Sequence, residues 1–458
     1  MRHSDDCQDH SRTSDAMSNS TPQPVLRTVD IISLIVGTVI GGGIFKAPAI
    51  VAASLGSIGW VVGAWLLGGL ASVIGALCYA ELATAYPDTG GEFHFIGRAY
   101  GSRLAFLYAW ARATVIVPGS IAGLAVTLGD YLAPVLPLGE HAATLWAVFM
   151  IVALSVLNSL GIRPARTAQN LFAFVEIITV CAIVVAGVVG HNHTQAVPDV
   201  TLPEGGAHLG LAMVFVLLTY GGWNEAAYIS AEVADGRRGI LKGLLLGLGT
   251  VTVLYGLING AYLWGLGHAG VAASAAPAAD LFRLAFGRQS GTLLGAIVAF
   301  SCMKAISATI FFGARSNYAV GRNWRLFSWL GHWHESGAPR RAIAVQAVLS
   351  LALVFLAAFT RNGFQAIVEF EAPVFWCFIL LVATALFVLR RREGLPAGAF
   401  AVPLYPLLPA LFVCSSGALL WSSLSYTGLG ALFGVVLLAA GIVPLALEQR
   451  LTARPASQ

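Results

Sequence analysis

Gly37-Thr38-Val39-Ile40-Gly41-Gly42-Gly43-Ile44-Phe45 lies in the middle of the first long apolar run of the chain, residues 29–53. Each glycine weakens a helix by about 1 kcal/mol relative to alanine. Four of them fall within seven residues here, so the stretch reads as a membrane helix that unwinds at mid-depth. The composition around it agrees. Of the 458 residues, 57% are hydrophobic and only 10% are charged, whereas a soluble domain carries roughly 25% charge. Too few polar groups are available to cover a globule, so the outer surface must face lipid. The basic residues sit in short loops and form no aromatic-interleaved patch, which argues against a nucleic-acid partner. The six cysteines show neither a disulfide framework nor metal-ligand spacing, and no cofactor is implied. Residues 1–24 are polar and lack an apolar core, so they read as a disordered cytoplasmic tail rather than a signal peptide.

A helix needs ~20 apolar residues to cross the bilayer core. About twelve runs qualify: 29–53, 59–86, 104–132, 144–160, 171–189, 209–233, 241–266, 292–320, 343–359, 364–389, 404–424 and 429–447. The fourth and ninth are short. Arginine placement supports this parse. Alternate loops hold Arg98, Arg103, Arg163, Arg166, Arg237, Arg238, Arg315, Arg322, Arg325, Arg340, Arg341 and Arg390-Arg391-Arg392, while the opposite loops hold only Arg283, Arg288 and Arg361. Both termini are therefore expected in the cytoplasm, with the chain in the inner (plasma) membrane. The organisation expected is one transmembrane domain, 25–450, followed by a tail, 451–458.

A second interruption occurs in the sixth run, at Leu218-Thr219-Tyr220-Gly221-Gly222-Trp223-Asn224-Glu225. The two interruptions lie five spans apart. That spacing suits two inverted repeats, about 29–189 and 209–389, with two extra helices at about 404–447. Paired discontinuous helices point to a transporter's binding site. Unwound backbone cannot be satisfied by lipid and must face a cavity or a ligand. Free N–H groups at a half-helix start favour a carboxylate. Free carbonyls at the other half-helix end suit an ammonium. A site with both fits a zwitterion. The competing reading is that these glycines only let helices pack closely.

Five segments carry a family resemblance: GTVIGGGIFKAP (37–48), YAELATAYPDTGGEFHFIGRAYG (79–101), YGGWNEAAYISAEV (220–233) running into DGRRGI, IFFGARSNYAVGRN (310–323), and APVFWCFILLVATALFVLRRRE (372–393) followed by VPLYPLLP. Together they resemble the amino acid–polyamine–organocation superfamily, and bacterial relatives of the L-type amino acid transporters above all. The resemblance spans nearly the whole chain. It implies an all-α LeuT-type fold of five-plus-five inverted repeats plus two helices. It also implies secondary active transport of amino acids by alternating access, by exchange or by proton-coupled symport. By the same resemblance, the substrate carboxylate meets the N–H groups of Gly41, Gly42, Gly43 and Ile44. The amino group meets the carbonyls of Thr38, Val39 and Ile40. Leu218, Thr219, Tyr220, Trp223 and Asn224 complete the site.

The chain departs from its relatives in four places, one of them Val117, where relatives tend to have an arginine before the Pro-Gly of the third span and where the arginine here comes earlier, at Arg112. Leu218 stands where L-type relatives carry a gating aromatic. Glu176, in QNLFAFVEI (169–177), replaces a lysine that many members place where sodium-coupled cousins hold sodium. Lys304, in FSCMKAISATIFFGAR (300–315), stands where relatives often have glycine. A charge at the bilayer centre costs ~2.5–3.5 kcal/mol on insertion scales, so Glu176, Lys304 and Arg112 should be paired or functional. Glu176 and Lys304, with Thr309 further along the eighth span, form either a static ion pair or a proton-coupling group. Glu225 either meets a substrate amino group or braces the second half-helix. Lys46 is expected in the outer vestibule, Glu369 and Glu371 at the membrane interface, His94 in a loop, and Glu232 against an inner loop. No intramembrane enzyme motif is present. The alternatives that remain are a polyamine or organic-cation carrier of the same fold and, less favoured, a nutrient sensor.

Overall fold

A computed structural model describes residues 27–88, 90–160, 166–191, 203–206, 208–225, 236–334, 338–360, 362–426 and 429–453. Its helices are α1 (Thr28–Val39), α2 (Gly43–Ser54), α3 (Ile58–Ala85), α4 (Glu92–Tyr100), α5 (Ser102–Ala111), α6 (Val117–Leu132), α7 (Ala142–Ser159), α8 (Arg166–Gly190) and α9 (Leu209–Thr219). They continue as α10 (Gly236–Ala273), α11 (Pro277–Phe286), α12 (Arg288–Asn323), α13 (Arg340–Ala357), α14 (Gly363–Glu393), α15 (Leu407–Tyr426), α16 (Leu429–Ala440) and α17 (Ile442–Ala453). A π-helical turn, Arg112–Ile116, joins α5 to α6, and a 3-10 turn covers Arg325–Leu330.

Among the described residues, nine helices are long and apolar enough to cross a membrane, and α1 with α2 forms a further span bent by 50°. The fifth and sixth apolar runs are present as the shorter apolar helices Phe174–Gly190 and Leu209–Thr219. The chain is thus a multi-pass membrane protein. Its outward faces are apolar: Leu66 and Leu70 on α3, Phe149 and Val156 on α7, and Val348 and Phe355 on α13 are all exposed. Inward faces carry small residues, as membrane helices require for close packing. A Cβ at Gly68 would lie 2.3 Å from the Val216 side chain, and one at Gly69 would lie 2.7 Å from Thr252.

Several details differ from the sequence expectation. Two amphipathic helices, α4 and α11, lie in connections between spans, so His94 is helical rather than in a loop. The seventh run extends to Ala273, with a kink at Gly267 (φ 71°) next to the expected end. The twelfth run is divided at Gly441, where a Cβ would meet the Trp110 ring at 2.4 Å. Its second half, α17, runs to Ala453, beyond the expected 447. There Glu448 accepts from the N–H groups of Arg325 and Leu326 at 2.9 Å each, holding the 3-10 turn by its free donors. The second half of the sixth run, with Glu232, lies outside the described residues, as does the polar tail 1–24.

Candidate functional site

The two interrupted helices meet at their breaks. α1 ends at Val39 and α2 begins at Gly43, while α9 ends at Thr219 and gives way to a turn at 220–222. Gly222 takes φ +108°, a conformation open to glycine, and a Cβ there would sit 3.3 Å from the Thr38 carbonyl oxygen. A Cβ on Gly43 would sit 3.1 Å from the Thr219 hydroxyl. These two glycines therefore serve close packing as well as unwinding. Between the breaks stands Tyr255 of α10. Its hydroxyl donates to the Val39 carbonyl at 2.7 Å and also lies 3.0 Å from the Thr219 carbonyl. Sequence reasoning missed this residue. The available signal was a phenol in the middle of an apolar run that also holds Tyr262. The Val39 carbonyl, expected to meet a substrate ammonium, thus already accepts one hydrogen bond from within the protein, on one of its two lone pairs.

A cavity of about 220 Å³ opens beside the breaks, walled by α6, α9 and α14 as well. That is below the roughly 300–1,000 Å³ of pockets for drug-sized ligands, so it suits a small solute. Thr38, Val39, Gly41, Gly42, Gly43, Leu218, Thr219, Asn224, Glu225 and Thr309 all line it. Gly42 precedes α2 and offers no side-chain cap; the Phe45 N–H bonds the Gly42 carbonyl at 3.2 Å, and the N–H groups of Gly43 and Ile44 are left to water or a ligand. The other expected residues lie elsewhere. Ile40 borders the small void that holds Glu176 and Lys304. The Ile44 side chain is fully buried in the core, although its backbone N–H belongs to the first turn of α2. Tyr220 donates to the Trp65 carbonyl at 3.2 Å and packs on Tyr255. Trp223 packs edge-on against Tyr79, with centroids 5.0 Å apart.

Four charged residues line the same cavity: Glu92, Arg112, Glu225 and Glu371. Arg112 donates from one terminal nitrogen to both oxygens of Glu225, each at 3.0 Å, which adds an ion pair to the two roles considered for Glu225. The π-helical turn begins at Arg112, and such turns often mark functional sites. Glu92 accepts from Tyr79 at 2.6 Å, from Asn224 at 3.0 Å and from the Tyr108 hydroxyl. Asn224 in turn accepts from the Gly222 N–H at 3.3 Å. Glu92 was not singled out in sequence because it lies in a connection rather than an apolar run. Glu371 is not an interface residue. It is 8% exposed, faces the cavity, and accepts from the Ser120 hydroxyl at 2.9 Å.

Glu176 and Lys304 are in direct contact, and Ser301 donates to the same Glu176 oxygen at 3.2 Å. Lys304 reaches towards the first span, where a Cβ on Gly37 would lie 3.7 Å from its nitrogen. Thr309 bonds the Ala305 carbonyl and lines the large cavity rather than joining the pair. Lys46 is not in an open vestibule. It pairs with Asp130 at 2.7 Å and donates to the Ala275 carbonyl at 2.7 Å.

A multi-helix membrane bundle with two interrupted helices meeting at a small cavity defines a transporter-type site. The amino acid permease family profile matches residues 26–453, and the chain belongs to that family. The LeuT-type fold follows from that membership. The serine/threonine exchanger SteT of Bacillus subtilis is 26% identical over 398 residues, covering 86% of this chain and 89% of that protein. The human b(0,+)-type amino acid transporter 1 is 28% identical, covering 81% and 77%. The rabbit large neutral amino acids transporter small subunit 2 is 26% identical, covering 84% and 73%.

Proposed function

We propose that the protein carries amino acids across the inner (plasma) membrane by alternating access, with both termini in the cytoplasm. The observation that supports this most strongly is the meeting of two helix breaks beside one small cavity. The uncapped start of α2 offers N–H donors to an α-carboxylate. Carbonyls near the end of α1, together with the carboxylates that line the cavity, offer acceptors to an α-ammonium. Relatives bear amino acid names, and the polyamine alternative has no comparable support. One relative is an exchanger, which favours exchange over proton symport. The Glu176–Lys304 contact next to the first break fits a clamp that fixes α8 and α12 beside the moving segment.

Uptake into proteoliposomes tests this reading. A panel of radiolabelled amino acids is offered with and without unlabelled amino acid inside, and with and without a pH gradient. Uptake that rises with internal amino acid supports exchange. Uptake that rises only with a pH gradient supports proton symport. Failure of every amino acid under both conditions contradicts the proposal.

A further inference from the structure

The cavity holds three carboxylates against one arginine, and the carboxylate with the fewest hydrogen bonds is Glu371. Arg112 answers Glu225. Glu92 is held by two phenols and the Asn224 amide. Glu371 has only the neutral Ser120 hydroxyl on one oxygen, and no cation lies within salt-bridge distance of it among the described residues. Its nearest acidic neighbour on α14, Glu369, is engaged by Gln365 at 2.9 Å. The second oxygen of Glu371 lies beside Gly119, where a Cβ would come within 2.8 Å of it. The missing side chain at Gly119 is what lets the carboxylate reach this place. A buried carboxylate without a cation is costly, and the cost is relieved either by a proton or by a well-placed cation that enters the cavity.

Position along α6 gives the reach. Leu124 touches the space above Gly42, at the start of α2, with 3.2 Å between its side chain and an added Cβ. Ser120, the partner of Glu371, precedes Leu124 by four residues, about one helical turn or ~5.4 Å. A substrate with its α-carboxylate at the start of α2 and its side chain extended along α6 would carry that chain's end about one helical turn on, to the level of Ser120 and Glu371.

We infer that Glu371 receives a cationic side chain, so the cavity takes basic α-amino acids of the lysine and ornithine kind. This rests on the amino acid reading above and names the substrate class within it. The test compares uptake of radiolabelled lysine and radiolabelled norleucine, which has the same carbon chain without the terminal ammonium. The wild-type protein should favour lysine by about tenfold or more, because a site built for a polar group rejects the analogue that lacks it. Glu371→Gln should shrink that ratio by a similar factor. Equal or better uptake of norleucine by the wild-type protein overturns the inference without any variant. So does an unchanged ratio in Glu371→Gln, including the case in which that variant loses only its response to a pH gradient. Uptake of other amino acids but not lysine overturns the inference and leaves the proposed function standing. Uptake of none removes both.

Discussion

The hydroxyl of Tyr255 lies 2.7 Å from the carbonyl oxygen of Val39, the last residue of α1. It lies 3.0 Å from the carbonyl of Thr219, the last residue of α9. One phenolic proton thus serves the free carbonyl ends of both interrupted helices, where no lipid group can. Tyr255→Phe should leave these ends less satisfied and lower stability by about 1 kcal/mol, the usual net worth of such a bond. A lower melting temperature in detergent, together with slower uptake, is the expected outcome. An unchanged melt would show that the hydroxyl does not hold the breaks together.

Gly222→Ala should be more damaging than its size suggests. Its φ of +108° is unfavourable for alanine, and the added methyl would press on the Thr38 carbonyl at 3.3 Å. A loss of about 1–2 kcal/mol from the backbone alone is expected. Thermal unfolding of the purified variant checks this. A wild-type melting temperature would mean that the turn relaxes at no cost.

Gly42 and Gly43 should differ when substituted. A Cβ on Gly43 meets α9 backbone as well as side chain, with Thr219 Cα at 3.4 Å, whereas a Cβ on Gly42 meets only the Leu124 and Thr127 side chains at 3.2 Å. Gly43→Val should therefore lose stability together with uptake. Gly42→Ala should keep its melting temperature within a few degrees and lose apparent affinity by about tenfold, near 1.4 kcal/mol. Parallel melts and uptake curves distinguish the two. Equal melts for both variants would contradict the packing role of Gly43.

Breaking the Glu176–Lys304 pair should cost about 3–5 kcal/mol, because one charge is left buried without a partner. Glu176→Gln measures the loss from one side. The exchanged pair, Glu176→Lys with Lys304→Glu, should recover part of it. A double variant no more stable than the single one would show that position, and not mutual charge, decides. Retained exchange with lost pH-gradient dependence in Glu176→Gln would instead assign the pair to proton coupling.

The fold was legible because its signals are local and strong. Apolar runs of bilayer length depend on composition alone. The glycine clusters at 41–43 and 221–222 marked both interruptions within two or three residues of the observed helix ends. The site was less legible because its polar groups converge from distant segments. Glu92 comes from a connection, Glu371 from near the start of α14 and Tyr255 from the middle of α10. Nothing in their own neighbourhoods reveals that each turns towards the breaks. Arg112 and Glu225 were each visible as charges within apolar runs, yet their partnership spans 113 positions and required the bundle to be seen. Lys46 shows the converse. Its place just past the first break suggested a vestibule, but Asp130 on α6 draws it into a pair.

Recognition of the α-carboxylate by the start of α2 is tested most directly by competition between an amino acid and its α-amide. Proteoliposomes are given a radiolabelled amino acid that the panel shows to be carried, with either its unlabelled form or its α-amide as competitor. The amide should compete at least about tenfold less well, since it removes the charge that the free N–H groups favour. An amide that competes as well as the parent acid, or putrescine competing better than both, would contradict carboxylate recognition at the helix break.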